Sequence, residues 1–433
     1  MVMTMVIKKL KYSLLASLIV ITSQVVAGGV SDTHSNNRPN SIQYKPETVT
    51  TRERPELGPL GAHAGAFRLF PSLSLSERYS DNIFATNNNE ESDFITVINP
   101  GIYLQSLWGR HFMAIRADAS LGRYSGNNNE NYDDFSAGFD GMMEINSAQN
   151  LSGGYDYSHE HENRFSADNV AGVEPTELDQ NTLSANYQHR FNRIIVDLGG
   201  EYQTLDFDNV RTSNGNVIDN DDRDRNRREG SLRIGYEYLP EYTAYVRTSI
   251  NSIDYDDAID GNGFNRDSDG YTISVGTDFD LSGVLFGNLF VGYDKQKYDD
   301  RFLNDTKGIS GGASLTWLPS QMTTVSGSVT RSIEETTLNA ASGVFSTEAN
   351  LVVDHELLRN FLLQARLNIS ENNFEGINRK DTDFGSGIGA RYMLNRHFHL
   401  LLDYDYQQRN SNSVTNINDF SGNIFSLGGR IQL

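Results

Sequence analysis

Residues 398–407 read Phe-His-Leu-Leu-Leu-Asp-Tyr-Asp-Tyr-Gln, which sets Phe398, Leu400, Leu402, Tyr404 and Tyr406 against His399, Asp403, Asp405 and Gln407. Side chains that change sides at every second residue belong to a β-strand. The pattern recurs along the chain. Met113, Ile115, Ala117, Ala119 and Leu121 stand against Arg116, Asp118 and Ser120, and Val196, Leu198 and Tyr202 against Asp197, Glu201 and Gln203. Phe345, Ala349, Leu351 and Val353 stand against Glu348, Asn350 and Asp354. About eighteen such segments follow one another from Phe67 onward, with no helical period between them. Water offers no means of burying that many two-faced strands. The fold class expected is all-β: a transmembrane antiparallel up-and-down β-barrel of about 18 strands (16–18).

The connections alternate in the same sense. Short turns fall at 107–109, 147–149, 192, 239–241, 318–320, 358–360 and 395–396. Long polar loops fall between them at 85–92, 125–131, 163–177, 208–223, 256–266, 297–305, 334–344, 375–380 and 409–419. Short periplasmic turns and long extracellular loops are the habit of outer-membrane barrels. An even strand number returns the C-terminus to the side on which the first strand began.

The first 27 residues carry Lys8, Lys9 and Lys11, an apolar run from Tyr12 to Ile21, and Val25-Val26-Ala27. These are the parts of a cleavable signal peptide, and the apolar run is too short to span a bilayer as a helix. Residues 28–66, with Pro39, Pro46, Pro55 and Pro59, are expected to form a flexible periplasmic leader, and residues 67–433 the barrel. At 37% hydrophobic residues, hydropathy alone would assign the chain to water. A barrel strand carries that weak a signal, so the composition does not decide against a membrane. The absence of cysteine excludes disulfides and lipid attachment to a cysteine. The net charge of −21 argues against nucleic acid as a partner.

On the face assigned to the lumen, Arg68, Arg116, Arg233, Arg247, Arg366, Arg391 and Arg430 meet a larger set of acids. That set includes Asp118, Asp140, Asp156, Asp197, Glu201, Glu237, Asp278, Glu348, Asp354, Glu356, Asp403 and Asp405. Two uses fit such a face: a hydrated, net acidic channel, or a cross-strand ion-pair lattice that holds the wall together. The lumen-lining candidates are Tyr103, Arg116, Asp118, Asp197, Glu201, Arg233, Glu237, Tyr245, Arg247, Arg366, Arg391, Asp403, Asp405 and Arg430. On the outer face, Tyr236, Tyr238, Trp317 and Tyr392 fall near one interface and Tyr155, Tyr157, Tyr293, Tyr404 and Tyr406 near the other, as aromatic girdles do. Arg123, His159, Lys295 and Arg331 come at the extracellular rim, where lipopolysaccharide phosphates would lie.

Sites of other kinds are weakly written. Asn265-Arg266-Asp267-Ser268-Asp269-Gly270 resembles the start of a calcium loop, but it begins with Asn and has Gly276 at its twelfth position. His159/His161 and His397/His399 have zinc-like spacing and no third ligand. Asp354-His355 and the acidic pairs of the loops have no recognisable catalytic spacing, and neither a phosphate-binding glycine loop nor a nucleophile elbow occurs. Neither catalysis, cofactor nor metal is expected.

One stretch is more specific than the pattern. Arg54-Pro55 and Pro59-Leu60-Gly61 lead into Gly65-Ala66-Phe67-Arg68-Leu69-Phe70-Pro71-Ser72-Leu73, then Tyr79-Ser80-Asp81-Asn82-Ile83-Phe84, and later Asn99-Pro100-Gly101. This resembles the Putative beta-barrel porin 2 family over about residues 54–433, its motifs lying in the first two strands. The resemblance implies an outer-membrane barrel of a Gram-negative bacterium that serves export or surface attachment of an extracellular polysaccharide. Outer-membrane lipid and lipopolysaccharide, met by the rim cations, and the barrel-assembly machinery, addressed by the terminal residues 427–433, are the expected partners, and the resemblance adds polysaccharide export proteins. The alternatives are a general diffusion porin for small hydrophilic solutes and a non-conducting structural or adhesive barrel. Oligomeric state is not written in the sequence.

Overall fold

The computed structural model describes residues 47–166, 169–170, 172–413 and 419–433. The signal peptide and residues 28–46 of the leader lie outside the described residues. Eighteen long strands make the wall. They are β1 (Phe67–Ser80), β2 (Asp93–Ser106), β3 (Phe112–Tyr124), β4 (Tyr132–Asn146), β5 (Gln149–His161), β6 (Glu177–Phe191), β7 (Ile194–Phe207), β8 (Arg225–Leu239) and β9 (Tyr242–Tyr255). The second half comprises β10 (Ser268–Leu281), β11 (Leu285–Tyr298), β12 (Thr306–Ser320), β13 (Thr323–Glu334), β14 (Gly343–Leu358), β15 (Phe361–Glu375), β16 (Lys380–Met393), β17 (Phe398–Ser411) and β18 (Phe420–Gln432). Each strand pairs antiparallel with its neighbours in sequence, and β18 pairs with β1 from Ser72↔Gln432 to Ser80↔Ile424, so no edge is left open. With 12 to 16 residues per strand, the wall exceeds the 9–11 needed to cross a bilayer.

The alternation of the sequence becomes inside and outside. Leu73, Leu75, Leu198, Ile250, Ile273, Ile388, Leu400 and Leu427 are exposed on the outer surface, together with Tyr236, Trp317 and Tyr392. Asp140, Gln188, Asp197, Arg233, Asp278, Gln364 and Asp403 are buried on the inner one. This inversion of a water-soluble core is what a lipid solvent selects.

The tight connections lie at one end and the long loops at the other. At the turn end the structure adds one turn to those expected, Ser282-Gly283 between β10 and β11, where both residues take positive φ (60° and 69°). With the Val284 amide donating to the Leu281 carbonyl at 3.1 Å, this is a type I′ turn, whose twist matches that of the strands it joins. Register shifts after Glu144, Glu237, Trp317 and Glu356 all fall beside turns at this end.

The motif residues of β1 sit on the seam. Pro71 lies one position before the β1–β18 ladder begins, so its missing N–H breaks no rung of it, and its carbonyl accepts from the Leu433 amide at 3.2 Å. At the loop end, Asp81 accepts from the backbone and side-chain nitrogens of Asn423 at 2.7 and 2.6 Å. Asn82, fully buried, donates to the Ser421 and Thr86 carbonyls, each at 2.8 Å.

Candidate transport lumen

Two bodies of chain enter the ring. From the turn end, residues 47–61 lie against the inner wall and cross it from β13 to β18. The Val49 amide donates to Thr324 Oγ1 at 2.9 Å, and its side chain packs on Leu362 and Met393 with Leu57 beside them. Arg54 and Arg52 both reach Glu356, at 2.6 and 3.3 Å, and Arg52 also donates to the Gln321 carbonyl. Farther out, Glu56 pairs with Arg359 at 2.7 Å. The segment then donates from Gly61 to the terminal Leu433 carbonyl (3.1 Å), and a short strand, Ala62–Ala64, folds back onto β1. This part of the leader is therefore a ledge across one side of the lumen mouth.

From the loop end, several connections fold inward and hold one another by buried ion pairs. Arg164 forks onto Glu130 at 2.7 and 2.9 Å, and Arg223 onto Glu162 at 2.8 and 3.1 Å. Phe165 packs on Phe420 with ring centroids 5.0 Å apart. Arg266, whose side chain is 1% exposed, pairs with Asp260 at 2.6 Å and donates to the carbonyls of Thr336, Thr337, Leu338 and Ala341. A guanidinium with five donors in a fixed fork suits this many acceptors. The clamp fixes the β13–β14 loop and brings Glu335 beneath Tyr255 and Tyr298, whose hydroxyls donate to it at 3.4 and 3.3 Å. Burial pushes the Glu335 carboxyl above its ordinary range, against the pull of Arg225, Arg227 and the Tyr298 hydroxyl.

Beneath the inward-folded loops lies a cavity of about 470 Å³. Its charged lining comprises Arg223, Arg225, Arg227, Arg366 and Arg409 with Glu162, Glu334, Glu335, Glu348, Asp383 and Asp405. Amides sit among them: Asn368 donates to Asn350 at 2.8 Å and to Glu348 at 2.9 Å, and Asn372 and Ser370 face Asp383. Phe165, Phe207, Phe374 and Phe420 contribute to the wall.

Of the lumen candidates read from the sequence, Arg366 and Asp405 line this cavity. Arg366 reaches Asp403 at 3.2 Å and Asp405 at 2.9 Å, and Gly387 and Gly389 make the room, since a Cβ at either would strike one of those carboxylates. The other candidates belong mostly to ion-pair clusters within the wall. Arg116 joins Asp140 (2.5 Å) and Asp156, near Tyr103, which packs on Phe70. Arg233 bridges Asp197 (3.7 Å) and Asp278, lying 4.0 Å over the Tyr245 ring. Glu237 pairs with Arg190 at 2.6 Å, and Arg247 with Glu229 at 3.8 Å. Asp118 is exposed to the lumen opposite Gly101. Glu201 stands opposite Glu229, Arg391 is buried two residues before Met393, where the leader docks, and Arg430 stands opposite Ser74 and His399. The lattice use of the charged face thus accounts for most of these residues.

The sequence reading missed Arg78, Arg190, Arg225, Arg227 and Arg409 on the inner face. It also missed every loop residue of the cavity. Arg225 and Arg227 alternate in step with Arg233 and were open to detection; Glu335 and Phe165 sit in loops, where no period points. Among the described residues, no three His, Cys, Asp or Glu side chains gather as a metal site.

No curated protein matches this chain. Among solved structures, the ferric enterobactin receptor PfeA of Pseudomonas aeruginosa is similar at 8% identity over 86% of this chain and 82% of that one, with a TM-score of 0.44. OccK2 (OpdF) of the same organism is similar at 9% identity over 85% and 98%, TM-score 0.46. OpdL, again of Pseudomonas aeruginosa, is similar at 12% over 85% and 99%, TM-score 0.42. The family model named Putative beta-barrel porin 2 matches residues 54–433, from the Arg54 that anchors the ledge to Leu433 just after the closing strand, and the chain belongs to that family.

Proposed function

We propose that this porin-like barrel stands in the outer membrane of a Gram-negative bacterium, turn end to the periplasm, and that its lumen carries or holds a strand of extracellular polysaccharide. The observation that supports this is the cavity lining. Sugar hydroxyls need donors and acceptors at close spacing, and the Glu348-Asn350-Asn368 cluster with Arg366, Asp383 and Arg409 offers both beside aromatic side chains. Five arginines face six carboxylates there, so the cavity is close to neutral and does not repel an acidic polymer as the rest of the inner face would. Polysaccharide export proteins would then be the periplasmic partners. A second reading, diffusion of small hydrophilic solutes, is favoured by the eighteen-strand wall with its polar inner face.

Single-channel conductance of the refolded mature chain, with and without added oligosaccharide, separates the readings. The polysaccharide role expects a modest conductance that oligosaccharide blocks. A large ohmic conductance indifferent to oligosaccharide would replace it with the diffusion porin. No conductance and no oligosaccharide binding would leave a structural or adhesive barrel.

A further inference from the structure

The outer face carries a basic patch at the loop end of β11, β12 and β13. Lys295 on β11 stands directly opposite Lys307 on β12, and Lys297 follows on the same face. Arg331 on β13 stands opposite Gly311 and reaches back to the Ile309 carbonyl at 3.2 Å, and Arg301 lies in the connecting loop. Four carboxylates are near: Asp305, paired with Lys295 at 3.1 Å, Asp269, in register with Lys297, Asp300, beside Arg301, and Glu371, two strands from Arg331 in the same cross-strand row. Among the described residues, neither Lys297 nor Lys307 has an ion pair, and both are exposed. Elsewhere on this rim the outward cations are answered, Arg123 by Asp133 at 2.6 Å, Arg228 by Asp254 at 3.2 Å and Lys380 by Glu371 at 2.8 Å.

Like charges placed directly across two strands are destabilising on their own. This pair lies where the outer face meets the head-group level. Just beneath and above it are the two most exposed large apolar side chains of the described residues, Ile309 at 68% and Phe302 at 70%. Cations over an apolar skirt are complementary to a molecule with phosphate at one end and acyl chains at the other. We infer that Lys295, Lys297, Lys307 and Arg331 form a binding site for a phosphorylated, acylated glycolipid of the outer leaflet. The phosphates would lie between Lys297 and Lys307, with acyl chains running down past Ile309, Val291 and Tyr293.

The inference rests on the outer-membrane reading, and its test keeps the two apart. The mature chain is refolded into phosphatidylcholine nanodiscs and titrated with diphosphorylated lipid A, dephosphorylated lipid A, or inorganic phosphate, with bound ligand counted by native mass spectrometry. The expected result is a preference for diphosphorylated lipid A that weakens about tenfold or more in K297A/K307A and is unchanged in R123A. Equal binding by K297A/K307A, or an equal loss in R123A, would overturn the site. Phosphate binding as tight as that of lipid A would make it a free-anion site and overturn the lipid. Failure of the wild-type barrel to enter the disc would overturn the membrane reading itself.

Discussion

Glu356 carries the guanidiniums of Arg52 and Arg54 on one carboxylate oxygen and has that of Arg359 at 3.9 Å from the other, at the turn end of the lumen. Its side chain and that of Arg54 are nearly out of contact with solvent, and the pair is 2.6 Å long. Removing one partner of such a pair leaves a buried charge uncompensated, at about 3–5 kcal/mol. The Val49 contact, the main apolar hold on the ledge, contributes about 1.5–3 kcal/mol at full burial. Loss of the ion pair thus weakens the ledge more than loss of the Val49 contact. Glu356→Ala should therefore let the ledge leave the wall, giving faster tryptic cleavage at the Arg52-Glu53 bond and a higher single-channel conductance than the parent. Unchanged cleavage and conductance would mean that the ledge is held by other contacts. Half of this pair was legible in the sequence: Glu356 falls on the polar beat of its strand, but nothing there links it to an arginine more than three hundred residues earlier.

Asp224, just before β8, answers to pH. Burial chiefly, and then the charges of Asp206, Asp221 and Asp256, raise its carboxyl to about 6, although the Phe207 amide donates to it at 2.7 Å. Folding favours the protonated form, so this contribution to loop stability is fully present below the ordinary carboxylate range and is lost as pH rises through about 6. Proteolysis within residues 208–224 should accelerate between pH 4 and 6.5 in the parent and vary less in D224N. An equal pH dependence in both would assign the effect to another group of the acidic cluster.

At the level of elements, the strands were the legible part because their physics is local. A period of two is forced on any segment with lipid on one side and water on the other. The loops obey no such period. Arg266 lies in a segment with the outline of a calcium loop, and the structure uses it as a clamp on four backbone carbonyls of the β13–β14 connection. The strand assignment has its own test in β17. Leu400 is half exposed on the outside, and Asp403 is buried against Arg366 on the inside. Leu400 faces the interfacial Tyr392, where an arginine is tolerated, so the test belongs two residues farther along: Leu402→Arg should impair assembly at a cost of about 2–4 kcal/mol near the bilayer midplane, seen as loss of the heat-modifiable folded band. A normally assembled Leu402→Arg barrel would show that this face does not meet lipid.

For the whole molecule, the closed ring and its even strand number could be read from the chain, whereas the filling of the lumen could not. Arg54, Gly61, Pro71, Asp81 and Asn82, which carry the family resemblance, attach the leader or fasten the seam. The family motif thus describes how the ring is closed and says little of what passes through it. The lining of the cavity comes instead from the inner faces of strands on both sides of the ring, β6–β9 and β13–β18, closed over by loops gathered by the pairs Arg164–Glu130, Arg223–Glu162 and Arg266–Asp260.

The ledge also bears on how such a protein can change over evolutionary time. In a ring where every strand touches only its sequence neighbours, a duplicated hairpin can be accommodated by widening the circumference. The leader, however, spans a fixed arc from Thr324 on β13 to the seam at Leu433, with a set number of residues between its anchors. A hairpin gained between β2 and β12 leaves that arc untouched, whereas one gained between β14 and β17 would outrun the leader. Growth of this barrel is therefore confined to one side of its wall.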